Sequence, residues 1–149
     1  MATVDEILAS NPSCIYQDIN DVILIDPATR MLIVPPTEII LGVVSDKDAE
    51  RKYFRCARYI GNSLDLATCN IVVVYSNAAG ERGEWPVDDL VYDDVSAVFS
   101  WQVSEDAVKQ QGTVKFNVSI RCNYGVYKPR EWNTTTATGT VLPDVDIFS

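Results

Sequence analysis

The chain has 149 residues, 47% hydrophobic and 22% charged, with 12 basic against 21 acidic side chains and a formal net charge of −9. That length and balance describe one folded domain with its own core, and the scattered basic residues argue against nucleic acid, whose phosphates need a concentrated basic surface. No apolar run approaches the roughly 18 residues that a membrane-spanning helix requires.

Residues 1–20 read as a capped helix and a lead-in segment, and residues 21–149 as a single domain. Thr3 and Glu6 have the spacing of a capping box, and Asn11-Pro12 supplies the stop. Asp5 and Glu6 stand where a secretory signal would carry its basic residues, so this is not an export leader. Such a segment can dock on its own domain or on a partner, and both remain open. Val22–Asp26, a Pro-containing turn and Met31–Val34 then predict a hairpin, which Pro35-Pro36 ends. Ile39–Val44 reads as a strand with a bulge at Gly42. Lys52–Tyr59 reads as another strand, although Ser45 and Asp48 offer a helix cap just before it. Asn70–Ser76 is β-branched and almost wholly apolar, which suits a central strand covered on both faces. A glycine-containing loop, Asn77–Gly83, precedes shorter strand segments at Glu84–Val87 and around Leu90 and Tyr92.

The clearest patterns follow. In Val95–Val103, the residues Val95, Ala97, Phe99, Trp101 and Val103 share one face of an extended chain, with Val98 the single apolar residue on the other. In Thr113–Cys122, the residues Val114, Phe116, Val118, Ile120 and Cys122 alternate with Thr113, Lys115, Asn117, Ser119 and Arg121. A period of two marks strands with one buried and one wet face. Ser104–Gly112 between them predicts one helical turn, capped by Ser104 and closed by Gly112. The shortness of that link predicts that the two strands are neighbours in one sheet. A Thr-rich strand, Thr134–Val141, comes last. The fold class expected is all-β: an antiparallel β-sandwich with a short N-terminal helix and one helical turn between two late strands.

Catalytic chemistry has little to work with. The chain has no histidine, which removes the commonest general base, the Ser-His-Asp and Cys-His systems, and most zinc sites. No glycine-rich phosphate loop is present. Asp88-Asp89 and Asp93-Asp94 are carboxylate pairs of the kind that glycosidases use, but they sit beside turns, where Asp serves local hydrogen bonding. Asp46, Asp48 and Glu50, and again Asp144 and Asp146, alternate as calcium ligands can, without the glycine and spacing of an EF-hand. Cys14, Cys56, Cys69 and Cys122 form no paired motif, and in a reducing cytoplasm they are expected to be small buried hydrophobes, not disulfides. The reading is therefore of a non-enzyme with no cofactor and no metal. Trp101 belongs to the inward row, whereas Trp85, Tyr124 and Trp132 lie near loops and are the candidate contacts for a protein partner or a glycan.

Several segments carry a resemblance. Ile23–Pro36 (ILIDPATRMLIVPP), Leu41–Arg58, Ile71–Leu90 (IVVVYSNAAGERGEWPVDDL), Phe99–Arg121 and Glu131–Leu142 together resemble the N-terminal domain of phage baseplate upper proteins. That domain recurs in tail-tip and fibre proteins of phages and prophages of Gram-positive hosts, and the resemblance spans residues 22–142. It implies a β-sandwich that attaches to the tail hub and carries receptor-binding parts outward. The chain stops at Ser149, where members of that family continue into a stalk, so a small virion component in its own right is also expected. On this basis the expected partners are tail hub, baseplate or fibre proteins and further copies of the chain, with a trimer favoured and neither nucleic acid nor membrane. The expected location is the virion, and the host cytoplasm before assembly. The alternatives are a carbohydrate-binding or host-adhesion module, and a head decoration or fibre protein.

Overall fold

The structure, a computed structural model, describes residues 3–4, 22–122 and 129–144. Among these residues there are thirteen strands. The first six are β1 (Ile23–Ile25), β2 (Leu32–Ile33), β3 (Ile40–Val43), β4 (Arg51–Ala57), β5 (Tyr59–Ile60) and β6 (Leu64–Asp65). After them come β7 (Asn70–Ser76), β8 (Arg82–Pro86), β9 (Asp88–Tyr92) and β10 (Ser96–Gln102). The last three are β11 (Gly112–Cys122), β12 (Arg130–Asn133) and β13 (Ala137–Leu142).

They form two facing sheets, one ordered β2-β1-β4-β10-β9 and the other β3-β13-β11-β7-β8, with β12 paired to the second half of β11. A small β5-β6 ribbon stands apart. The sandwich is therefore as expected in class, but its sheets are mixed. β1 runs parallel to β4, and β3 runs parallel to β13. The cause is the path of the chain, which visits the opposite sheet between β1 and β4 and again between β3 and β13. Edge strands hand over directly: β2 passes to β3 through a 3-10 turn at Pro36–Glu38, and β8 passes to β9 through Val87. Both flanks of the sandwich are thus crossed by backbone.

The same path corrects the placement of the two alternating strands. β10 and β11 lie in opposing sheets, so their apolar rows meet across the core instead of side by side. Phe99 stacks on Phe54 of its own sheet with centroids 5.4 Å apart, while Trp101 meets Phe116 of the other sheet at 5.4 Å and Tyr75 at 6.2 Å. The outward row of β10 is not wet either. Val98 and Ser100 are buried, and Val98 packs with Val4 from the N-terminal segment, flanked by Tyr53 and Val91. Val95, expected in the inward row, is 70% exposed. Asp93 caps the amides of Val95 and Ser96 at 2.8 and 2.7 Å, which turns the chain there and delays the strand until Ser96.

Other boundaries follow local chemistry. The bulge at Gly42 is present: Thr140 pairs with Ile40 and Val141 with Gly42, whose φ of 152° suits glycine. The segment after Gln102 forms turns with i→i+3 hydrogen bonds, Ala107 to Ser104 and Val108 to Glu105. The Thr-rich strand begins only at Ala137, because Thr134 turns inward to accept the Val118 amide at 2.9 Å. Gly83 has a steric role, since a methyl group there would fall on the phenol ring of Tyr75. At the sandwich margin Lys52 is buried and inward-facing, with its ammonium 3.7 Å from Glu38 of the 3-10 turn. The N-terminal helix expected over the first residues lies outside the described residues, apart from Thr3 and Val4.

The four-thiol expectation is also corrected: Cys69 and Cys122 form a disulfide. β7 and β11 pair Ile71 with Ile120 and Asn70 with Arg121, and extending that register by one residue sets Cys69 opposite Cys122. Their Cα atoms are 4.6 Å apart, within the range that a bridge spans. Cys56 stays a buried free thiol, and burial pushes its pKa up to about 12, so it is inert as a nucleophile.

Two outcomes test this packing. Phe116→Ala, which empties a site facing Trp101, should cost about 3–5 kcal/mol in urea unfolding, whereas Lys115→Ala on the outward face should stay within about 0.5 kcal/mol. Reducing Cys69–Cys122, whose separation is 53 residues, should lower stability by about 2–4 kcal/mol. The urea midpoint measured with and without reductant reads this directly.

Candidate functional site

Of the two aromatic candidates among the described residues, Trp85 is the one placed to meet a ligand. It pairs across from Val73 on the inward side of β8, but β8 is an edge strand, so the indole ends half-buried at the margin of the core. There it lines an open cleft of about 530 Å³ together with Asp48, Ser104, Glu105, Asp106 and Lys109. The wall is held from inside. Tyr75 reaches past Gly83 and donates its hydroxyl to Asp106 at 2.9 Å, with the Ser104 hydroxyl 3.3 Å away. Asn77 donates to the Asp106 carbonyl at 3.0 Å, and Lys109 pairs with Glu81. Burial, foremost, raises the Tyr75 pKa, and Glu81 is held below the usual carboxylate range by Lys109. An indole beside carboxylates can stack on a sugar or a cation.

Trp132 is only 3% exposed, and the Arg30 guanidinium lies over its ring at 4.9 Å. Its inward position on β12 opposite Ile120 explains the burial, and it leaves no face for stacking. Tyr124 lies outside the described residues. Of the carboxylate pairs, Asp88 and Asp89 meet Arg51 at 3.4 and 3.7 Å, and Asp93 accepts from backbone amides. Asp46 likewise accepts the Val43 amide at 2.9 Å. Among the described residues, no group of three or more His, Cys, Asp or Glu is placed to hold a metal ion.

Two surface features had no signal in sequence. At one end of the sandwich Arg58 is forked onto Asp65 at 3.0 and 3.2 Å and lies between two exposed rings, Tyr59 at 5.1 Å and Tyr92 at 4.7 Å. The hydrogen bonds to Asp65 raise the Arg58 pKa, and Arg58 lowers that of Asp65. Arg58 and Tyr59 are neighbours in the chain, but Asp65 on β6 and Tyr92 on β9 join them only once the strands are assembled. On the outer face of the first sheet, Leu24 (44% exposed), Ile33 (51%) and Val95 line an apolar groove of about 400 Å³ beside Arg55 and Ala57. The short edge strand β2 leaves it open. Further along that face Val4 packs on Val98, and its amide donates to Asp93 at 2.8 Å.

No protein-family model matches the chain, and no curated protein matches it. Among solved structures it is similar to the N-terminal domain of phage TP901-1 ORF48, with 17% sequence identity and a TM-score of 0.44. The similarity covers 69% of this chain and 84% of that one.

The Val4 contact has a defined pH response. Amides of Val4 first, then of Val95 and Ser96, hold the Asp93 pKa below its ordinary 3.8. A lowered carboxylate pKa means that the contact is at full strength above pH 3.8 and is lost as pH falls through the lowered value. The protection of the Val4 amide, its exchange rate relative to the unstructured chain at the same pH, should therefore fall on acidification below that point, and Asp93→Asn should lower it at neutral pH.

Proposed function

We propose that the protein is a non-enzymatic structural component of a tailed phage or prophage particle, most simply of the tail or baseplate, where it joins or carries other parts through protein contacts. The observation that carries this reading is the open apolar groove at Leu24, Ile33 and Val95, since contiguous exposed apolar surface marks protein contact. The segments that resemble the baseplate upper protein domain supply the setting. The solved neighbour is likewise a phage protein domain, at a degree of similarity that carries no argument by itself.

Two further features support the reading. The tyrosine-flanked Arg58 has the residue types that concentrate binding energy at interfaces, and it is already fixed by Asp65, so little entropy is lost when a partner arrives. The Cys69–Cys122 bridge suits a protein that spends time outside a reducing cytoplasm. In this reading the chain acts in several copies, a trimer being favoured, and passes from the host cytoplasm into the virion. Mass spectrometry of purified particles should find it at stoichiometric level; its absence from particles, with expression in infected cells, overturns the proposal.

A second reading, a glycan-binding module, is favoured by the half-buried Trp85 above carboxylates. Glycan-array binding that disappears in Trp85→Ala would put it first.

A further inference from the structure

The outward face of the second sheet carries a row of side chains that the registers define. Thr138, Lys115, Ser76 and Arg82 stand directly opposite one another across β13, β11, β7 and β8, and residues so paired share a face. Lys115, Ser76 and Arg82, with Asn117 and Thr136, border a shallow depression of about 200 Å³. Lys115 and Arg82 are both exposed.

In a chain with 21 acidic and 12 basic side chains, cations do not lack for partners. Yet among the described residues neither Lys115 nor Arg82 forms an ion pair. The reason is local. Glu84, on the same face as Arg82, is taken by Arg121 at 2.7 and 3.1 Å, and Glu81 by Lys109. Arg82 acts on Glu84 only through space, the smallest of the influences on the Glu84 pKa, so two cations without a close ion pair flank Ser76, with an amide and hydroxyls between and beside them. A carboxylate entering the depression would receive charge-assisted bonds from both cations, and Asn117, Ser76 and Thr136 could donate to its remaining lone pairs.

We propose that this depression is a docking site for a carboxylate-bearing segment of a partner protein. Its size suits one or two acidic side chains. A polyanion such as nucleic acid would meet the net charge of −9 over the rest of the surface, whereas a presented Asp or Glu meets this face alone. The inference rests on the reading that the protein works through protein contacts, but it does not require that the partner be in a virion.

The test is a 15N NMR titration of the full chain with the blocked tetrapeptide acetyl-Gly-Glu-Glu-Gly-amide at about 0.1 M salt, where screening limits long-range repulsion, and in parallel with inorganic phosphate. Shifts should be confined to Ser76, Arg82, Lys115, Asn117 and Thr136. Binding should weaken at least about tenfold in the Arg82→Ala, Lys115→Ala double variant, with an unchanged melting temperature, and should be unaffected by Lys47→Ala. Absence of wild-type binding, equal binding by the double variant, or phosphate binding as tightly as the tetrapeptide would each overturn the proposal. Self-association in sedimentation that the double variant abolishes would also overturn it, because a second copy would then be the occupant. None of these outcomes depends on whether the protein is found in particles.

Discussion

The contact of Trp101 with Phe116 and Tyr75 is where the two sheets are held together, and much of the molecule is arranged around it. Trp101 is fully buried, and its indole N–H has no acceptor among the described residues. An unsatisfied buried donor costs about 1–3 kcal/mol, which the large apolar area of the indole offsets. Tyr75 then transmits the packing outward. Its ring crosses over Gly83 and its hydroxyl fixes Asp106, so the turns after β10 take their place from the core. The wall of the Trp85 cleft is therefore an extension of the central aromatic stack, and not an independent loop.

The two outer faces differ in chemistry, and the difference follows from strand composition. On the first sheet the outward positions include Leu24, Ile33, Tyr53, Val91 and Val98. Val98 on that face is covered by the chain's own Val4, whose amide is pinned by Asp93. On the second sheet the outward positions include Lys115, Asn117, Ser76 and Thr138, which solvate well without a cover, beside Val72 and Val74. One sheet thus has an outer side that gains from being occupied, and the other has a side that tolerates being bare. A subunit that must exist alone before it joins others can use both.

Period-two alternation in β10 and β11, the β-branched run of β7 and the hairpin punctuation around Pro27 make the all-β class and most strand positions legible in the sequence itself. Sheet membership is not legible there. Nothing in Ser104–Gly112 says that the chain crosses between sheets at that point, because a short link serves a crossover as well as a hairpin. The same gap hides the disulfide. Cys69 lies two residues before Ile71, just ahead of β7, and Cys122 two after Ile120, each in phase with an inward row, but only the β7–β11 register opposes them. Trp85 is recognisable as an aromatic residue near a loop, yet its acidic neighbours come from separate segments. Trp132 carries the same signal, and its partner strand turns it inward.

The Cys69–Cys122 bridge has a topological consequence. The ring it closes contains β7, β8 and β11 of one sheet together with β9 and β10 of the other. Central strands of both layers therefore belong to a single covalent loop, while β1 to β6 form a tail on one side and β12 and β13 a tail on the other. A cut in the backbone anywhere between the two cysteines leaves the polypeptide in one piece. Mechanical load applied through the two ends of the chain would pass across the bridge and bypass the loop, so the aromatic centre of the sandwich is shielded from tension that reaches the molecule through its termini.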